Sequence, residues 1–496
     1  MKKKDKNDEA TINIGSFKNS EAYSRMIFGG FIEHFDNQIY GGIYDPDSLL
    51  SNERGFREDV MEALKELKIP IVRWPGGCFV DSYHWQNGIG ENRIQHDDFR
   101  WGVIEPNTFG TDEFIRFCKE IKAEPYICHN SFSDKHEITG WIKYCNALEG
   151  EFAEMRKQNG NYKPFKVKYW SMGNERYDKA YIKRVREGAK AIKKLDPRLQ
   201  ITCSALQGGM KEISFELLEK TGEYVDYISV HNYWLASAPY APRYNYMTAI
   251  SKSEMPEAFI SNVIKTLEEL GLKERIKIAF DEWNLRAWQH SGFPKSKIED
   301  YNDPEIRELV ERRRWENDIA DQYTMADALF SASFLNTCLR HPKEVEMANI
   351  APLVNTRGPL FVHSKGIVKR THFHTMWMYS NMLYDRVVDV KIDSKKMSSG
   401  ASIISVVDAI ATVDKDGGKW AIAMINRHPN KKLKCSLKMN DLTLDGTYEC
   451  VVLKGESCDA YNDVDNPNRV IPVKTYMTLD MGSTELPACS LTILLI

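Results

Sequence analysis

Residues 167–205 read VKYWSMGNERYDKAYIKRVREGAKAIKKLDPRLQITCSA. A short apolar run (167–175) ends in polar residues. It is followed by YIKRVREGAKAIKKLDP, whose apolar positions recur with helical spacing until Pro197 stops it, and then by a second apolar run, QITCSA (200–205). This is one strand–helix–strand unit. Similar runs lie on either side of it: IFGGFIEHF (27–35), IPIVRWPGG (69–77), EPYICHNS (124–131), VDYISVHNYW (225–234), IKIAFDEWN (276–284) and EVEMANIAPLVN (344–355). Amphipathic segments such as GFREDVMEALKELKIP and GTDEFIRFCKEIKAEP separate them, each closed by a proline just past its end. Eight strands alternating with helices predict an α/β fold, a (β/α)8 barrel, over residues 23–384. A doubly wound sheet would need a glycine-rich phosphate loop opening a helix, and Phe28-Gly29-Gly30-Phe31 lies inside an apolar run instead.

Past residue 384 the texture changes to short alternating runs (ASIISVVDAIATV, KWAIAMINRH, TYECVVLKG, LTILLI) divided by turn clusters such as DKDGG and NDVDNPN. Residues 385–496 therefore read as an all-β sandwich or jelly-roll domain. The 67 Lys and Arg against 70 Asp and Glu give a net charge of −3, which offers nothing to a nucleic acid. No apolar stretch approaches the roughly 20 residues a membrane helix needs. The opening MKKKDKNDEA lacks the apolar run of a secretory signal, so a cytoplasmic protein is expected. The ten cysteines are scattered singly, without the close pairs that suggest zinc, and read as small buried hydrophobes.

In a barrel of this kind the chemistry sits at the C-terminal ends of the strands, where the loops converge. Two runs end in a glutamate: Trp170-Ser171-Met172-Gly173-Asn174-Glu175 closes the fourth strand and Phe280-Asp281-Glu282-Trp283-Asn284 the seventh. Charged groups behind hydrophobic strands are disfavoured unless paired or used. Two carboxylates facing one pocket suit glycosidic cleavage: one protonates the leaving oxygen, and the other attacks the anomeric carbon or activates water.

These motifs, with FIEHFDNQIYGGIYDPDS (31–48), VRWPGGCFVDSYHWQNGIG (72–90), EPNTFGTDEF (105–114), SVHNYW (229–234), DALFSASFLN (327–336) and MANIAPLVN (347–355), resemble glycoside hydrolase family 51, the α-L-arabinofuranosidases. The resemblance spans nearly the whole chain. It implies a retaining, exo-acting enzyme that removes terminal α-L-arabinofuranosyl units from oligosaccharides, with Glu175 as acid/base and Glu282 as nucleophile. It also implies that Asn174 bonds the sugar 2-hydroxyl and that Glu33 binds furanose hydroxyls. His231 and Tyr233 should stand near the nucleophile, the tyrosine bonding Glu282, and Trp101 should line the sugar pocket. Arg73 is expected to hold carboxylates in place. Each has a purely structural alternative: a backbone bond for Asn174, an ion pair with Arg73 for Glu33, and a core position for His231 and Trp101. No cofactor or metal is implied, and His372 and His374 lack a third ligand at suitable spacing. The resemblance adds an N-terminal strand from 1–22 at the edge of the β domain, and a homo-oligomer, a hexamer.

Two positions depart from the family pattern. Cys78 stands where asparagine is common, and Pro352 where glutamine is, so Pro352 removes a side-chain amide and a backbone donor. The Arg176-Tyr177-Asp178 segment lacks the aromatic, glycine-rich loop of many relatives. A long polar insertion (285–314) follows the nucleophile strand and is expected to shape the leaving-group side or to be a surface excursion. Competing readings are another glycosidase of the same fold (another furanoside, a β-xyloside or a β-glucan) and a non-catalytic carbohydrate-binding barrel.

Overall fold

The computed structural model describes residues 10–98, 100–101, 103–207, 211–235, 245–287, 323–399 and 402–496. The 285–314 insertion, apart from its first three residues, lies outside them. Eight parallel strands close into a barrel: β1 Gly29–Phe31, β2 Ile71–Trp74, β3 Glu124–Cys128, β4 Tyr169–Ser171, β5 Gln200–Gln207, β6 Tyr227–Leu235, β7 Lys277–Arg286 and β8 Val345–Ile350. Each lies within one of the eight runs, except that β5, β6 and β7 extend one or two residues further.

Closure depends on β1. Its partners are β8, through Asn349 opposite Gly29, and β2, through Val72 opposite Gly30. A Cβ on Gly29 would come within 2.8 Å of Ile71 Cγ2, and one on Gly30 within 2.7 Å of Leu353. The glycine pair is therefore what lets the first strand fit between its neighbours.

The helices follow the periodicity. α1 (Glu58–Leu67) buries Val60, Met61, Leu64 and Leu67, and stops where Lys68 turns left-handed (φ 52°) ahead of Pro70. α2 (Thr111–Ile121) ends the same way at Lys122. α3 (Lys135–Asn146) follows β3, and α4 (Lys179–Leu195) begins at Asp178, whose side chain caps the backbone N–H of Tyr181. Inside the barrel Ile71, Tyr126, Tyr169, Tyr227, Ala279 and Met347, near the strand starts, form one apolar plug. The pocket is thus confined to the opposite, C-terminal mouth.

The C-terminal domain is a sandwich. A seven-stranded sheet (21–22, 386–388, 407–413, 420–426, 490–495, 446–454, 472–479) faces a four-stranded one (390–394, 10–14, 433–439, 483–486), with Ile12, Ile14, Ala409, Trp420, Ile422, Cys435 and Leu437 in the core between them. The resemblance puts a strand from 1–22 at the edge of this domain; Glu21–Ala22 does lie at the edge of the larger sheet, whereas Ala10–Ile14 lies inside the smaller one. It runs antiparallel to 390–394 on one side and parallel to 433–439 on the other. The larger sheet's other face packs on the barrel through Ile410, Ala421, Ile425, Leu491 and Ile493. All ten cysteines are free thiols, and eight are buried. Among the described residues, no helix is long and apolar enough to cross a membrane.

Candidate active site

The loop after β4 is built for Glu175. Gly173 (φ 101°) has no room for a side chain, since a Cβ would meet Ser131 Oγ at 2.7 Å, and Glu175 itself is held at φ 44°. Left-handed backbone at a non-glycine residue is strained and is found where surrounding contacts enforce it. Here Ser131 Oγ accepts the N–H of Asn174 at 3.1 Å.

Glu282 does not terminate its strand as the sequence suggested, because β7 continues to Arg286. The feature that presents it is a bulge. Ala279 faces Ser229 and Glu282 faces His231, so β7 spends three steps where β6 spends two, and it carries the same extra residue against β8 between Phe280 and Trp283. The bulge breaks the alternation of side chains and lets the consecutive carboxylates of Asp281 and Glu282 contact the same two cations.

Those cations are Arg73 and His231. Arg73, buried on β2, donates from Nη1 to Glu282 Oε2 (2.9 Å) and from Nη2 to Asn174 Oδ1 (2.7 Å), with Nε 3.4 Å from Asp281. His231 places Nδ1 2.9 Å from Glu175 Oε1 and 3.4 Å from Glu282, and Nε2 3.3 Å from Asp281. Burial alone would lower the basicity of this imidazole, but Glu282, Asp281 and Glu175 outweigh it and raise it to about 10. Tyr233 donates its hydroxyl to Glu282 Oε1 at 2.6 Å. One carboxylate oxygen each of Glu175 and Glu282 and a ring nitrogen of His231 lie within 4.8 Å of one another. No other trio of His, Cys, Asp and Glu among the described residues is so close. One imidazole nitrogen and two carboxylate oxygens form a set suited to proton transfer, and the same set could hold a metal ion.

Asp281 went unremarked in the sequence. It is fully buried, accepts from Tyr126 (2.8 Å) and Ser229, and lies beside Arg73 and His231. Burial would raise its carboxyl, but Arg73, His231 and Ser229 hold it at about 2.

Glu33 is also fully buried. Its Oε1 accepts the Phe79 N–H and Trp101 Nε1, both at 2.9 Å, while Oε2 has no protein partner. Burial, and then the nearby charge of Glu282, push its carboxyl up to about 8. The glycines of Trp74-Pro75-Gly76-Gly77 make room for it, since a Cβ on Gly77 would sit 2.7 Å from Oε1. The ion pair with Arg73 considered for Glu33 is not formed. Trp101 lies between the strands 96–98 and 103–105, with its ring 4.2 Å from that of Phe35 and its backbone N–H on Asp98. Cys78 Sγ is 3.7 Å from Asn174 Nδ2, and burial and the adjacent carboxylates push its thiol well up, so it stays protonated. Pro352 is buried in the turn after β8. His372 and His374 take separate partners, the Arg357 carbonyl and Asn462, and burial lowers both imidazoles.

Residues 63–249 match the family pattern described as "Alpha-L-arabinofuranosidase 1 domain", and residues 281–490 match "Alpha-L-arabinofuranosidase C-terminal domain". The probable α-L-arabinofuranosidase C of Aspergillus niger is 32% identical over 493 residues, covering 92% of this chain and 91% of its own. The chain belongs to the α-L-arabinofuranosidases of glycoside hydrolase family 51. The intracellular exo-α-(1→5)-L-arabinofuranosidase 1 of Bacillus subtilis is 30% identical, with 90% of each chain covered. Among solved structures, the thermostable family 51 α-L-arabinofuranosidase of Thermotoga petrophila superposes with a TM-score of 0.84 at 28% identity, covering 98% of this chain and 100% of its own. This family 51 chain is accordingly a glycoside hydrolase with a barrel and a C-terminal β domain.

Proposed function

We propose that the protein is a retaining, exo-acting α-L-arabinofuranosidase that releases terminal non-reducing arabinofuranosyl units from arabino- and arabinoxylo-oligosaccharides by double displacement. The observation that carries the mechanism is the approach of Glu175 and Glu282 oxygens to within 4.8 Å. Retaining enzymes hold their carboxyl groups about 5–5.5 Å apart, whereas inverting ones need about 6.5–9.5 Å to admit a water.

The charges favour the division of labour. Arg73 and His231 as cations balance Asp281 and Glu282 as anions, so the cluster is neutral when Glu175 carries the proton. Tyr233 and Arg73 each bond one oxygen of Glu282 and fix the orientation of its carboxylate. In the first displacement a Glu282 oxygen bonds to the anomeric carbon while the glycosidic C–O bond breaks and the Glu175 proton passes to the leaving oxygen. The negative charge of Glu282 is then consumed in the ester. In the second, water attacks the same carbon, gives its proton to Glu175, and Glu282 leaves as carboxylate. Asn174, oriented by Arg73, and Glu33, with one free oxygen in the pocket wall, are assigned to the sugar hydroxyls together with Trp101. Cys78 is assigned to the same pocket and Arg73 to positioning. We further assign catalysis to 23–384, a cytoplasmic location, and a homo-oligomer.

The test is hydrolysis of p-nitrophenyl α-L-arabinofuranoside by wild type and Glu175→Ala, with and without azide. Turnover by wild type and azide rescue of the variant, yielding the α-L-arabinofuranosyl azide because azide takes the place of water in the second displacement, are expected. No turnover by wild type would discard arabinose, and rescue giving the β-azide would discard the assignment of Glu175 as acid/base in a retaining order.

A further inference from the structure

Two thiols outside the catalytic cluster, Cys458 and Cys489, meet where the β domain packs on the barrel. The strands 446–454 and 490–495 run antiparallel with Lys454 opposite Ser490. The chain leaving the first at Gly455 and the chain entering the second at Cys489 therefore start side by side. Past Gly455 the backbone folds back at once: the Ala460 N–H bonds the Ser457 carbonyl, and a Cβ on Gly455 would collide with that of Ala460. Cys458 lies in that turn. Its thiol and that of Cys489 are hydrogen-bond partners. The Tyr246 hydroxyl, which donates to the Arg427 carbonyl at 2.8 Å, lies against the same Cys489 sulfur.

The two thiols are not alike. Cys489 is 4% exposed, and its backbone is held left-handed at φ 44° with its N–H on the His428 carbonyl at 2.9 Å. Burial, and then Cys458, push its thiol up. Cys458 is partly exposed, and the hydrogen bond with Cys489 lowers its thiol against the effect of burial. An accessible sulfur that ionises more readily, beside a shielded one, is the arrangement of an attacking and a resolving cysteine. Cys118, Cys128, Cys145, Cys203 and Cys338, by contrast, are buried, and burial pushes each of them up.

We infer that Cys458 and Cys489 form a reversible oxidation site, at which hydrogen peroxide closes a disulfide between the 455–460 turn and the residue before the last strand. The Cys458 sulfur attacks one peroxide oxygen, the O–O bond breaks, water leaves and a sulfenic acid remains. The Cys489 sulfur then attacks the Cys458 sulfur, the S–O bond breaks, and a second water leaves with the Cys489 proton. The two thiols together lose two electrons, which reduce the peroxide to water. The bridge bears on how the domains stay docked. The same turn runs on to Tyr461, which bridges Thr324 at the start of the helix Met325–Arg340, and to Asn462, which donates to the Lys369 carbonyl at 2.8 Å.

The test exposes the intact, reduced protein to a small excess of hydrogen peroxide, blocks the remaining thiols in denaturant, and maps the digest by mass spectrometry. In wild type the thiol count should fall by two from ten, with Cys458 joined to Cys489, and dithiothreitol should restore it. Cys458→Ser should slow the loss of thiols about tenfold. In Cys489→Ser the reaction should stop at the Cys458 sulfenic acid, which dimedone traps. Cys458→Ser alters a partly exposed side chain and decides the matter if Cys489→Ser does not fold. An unlinked Cys458 carried on to sulfinic acid in wild type, a bridge between other cysteines, or thiol loss as fast in Cys458→Ser as in wild type would overturn the site. So would ten intact thiols at a peroxide dose that oxidises free cysteine.

Discussion

His231 holds its Nδ1 2.9 Å from the Oε1 of Glu175, so the proposed acid sits against an imidazolium. His231→Ala removes the group that holds this carboxyl in place and should lower kcat/KM by about 10²-fold. A loss below about threefold in a folded variant would mean that the histidine does not act on the acid.

Tyr233 tests the other carboxylate. Its 2.6 Å bond to Glu282 is a bond to a charged group, worth about 1.5–3 kcal/mol. Tyr233→Phe should lower kcat/KM by about 10–100-fold with little change in thermal stability. A loss below twofold would remove the tyrosine from the reaction.

For Arg73 the larger effect is on the fold. It is buried against Glu282, Asp281 and Asn174, so Arg73→Met leaves two carboxylates without their shared partner. Breaking a buried pair in this way costs about 3–5 kcal/mol. Urea denaturation should show that loss, and a loss below about 1 kcal/mol would mean that the cluster relaxes by taking up protons.

The pH dependence of stability has a definite sign at Glu33. Its folded carboxyl titrates at about 8 against an ordinary 4.5. The folded state therefore binds the extra proton between these values, and stability falls as pH rises from about 4.5 to 8. Asp281 works the other way, with stability gained as pH rises from about 2 to 3.8. His231, raised from 6.5 to about 10, adds stability that is complete below 6.5 and lost towards 10. Glu33→Gln should flatten the decline between pH 4.5 and 8 in thermal melts and leave the acid limb in place. An unchanged slope would assign the decline to other groups.

The eight strands and their helices were legible because parallel barrel strands are buried on both faces, and prolines mark where helices stop. The two glutamates were legible because each follows such a strand. Asp281 was not, since one-residue alternation places neighbours on opposite faces, and only the bulge in β7 overrides that rule. Register shifts of this kind depend on what the adjacent strands do, which no local window contains. The company of Glu33 was hidden for a related reason: its partners Phe79 and Trp101 come from the loop between β2 and α2, and a backbone N–H leaves no mark in composition. The interior place of strand 10–14 depended on pairing across almost the entire chain.

That last pairing constrains how the molecule is made. Asn13 meets Lys391, 378 positions away, and residues 10–14 fill a slot with a strand on each side. During synthesis this strand waits, with both edges open, until residues 390–394 and 433–439 have been made. The barrel can close early, but its sandwich neighbour completes only when residues 10–14 find 390–394 and 433–439, at the closure entropy that such a separation carries. Removing residues 10–14 would leave the catalytic cluster's own contacts untouched and open a gap in the middle of the smaller sheet, hundreds of residues further along the chain.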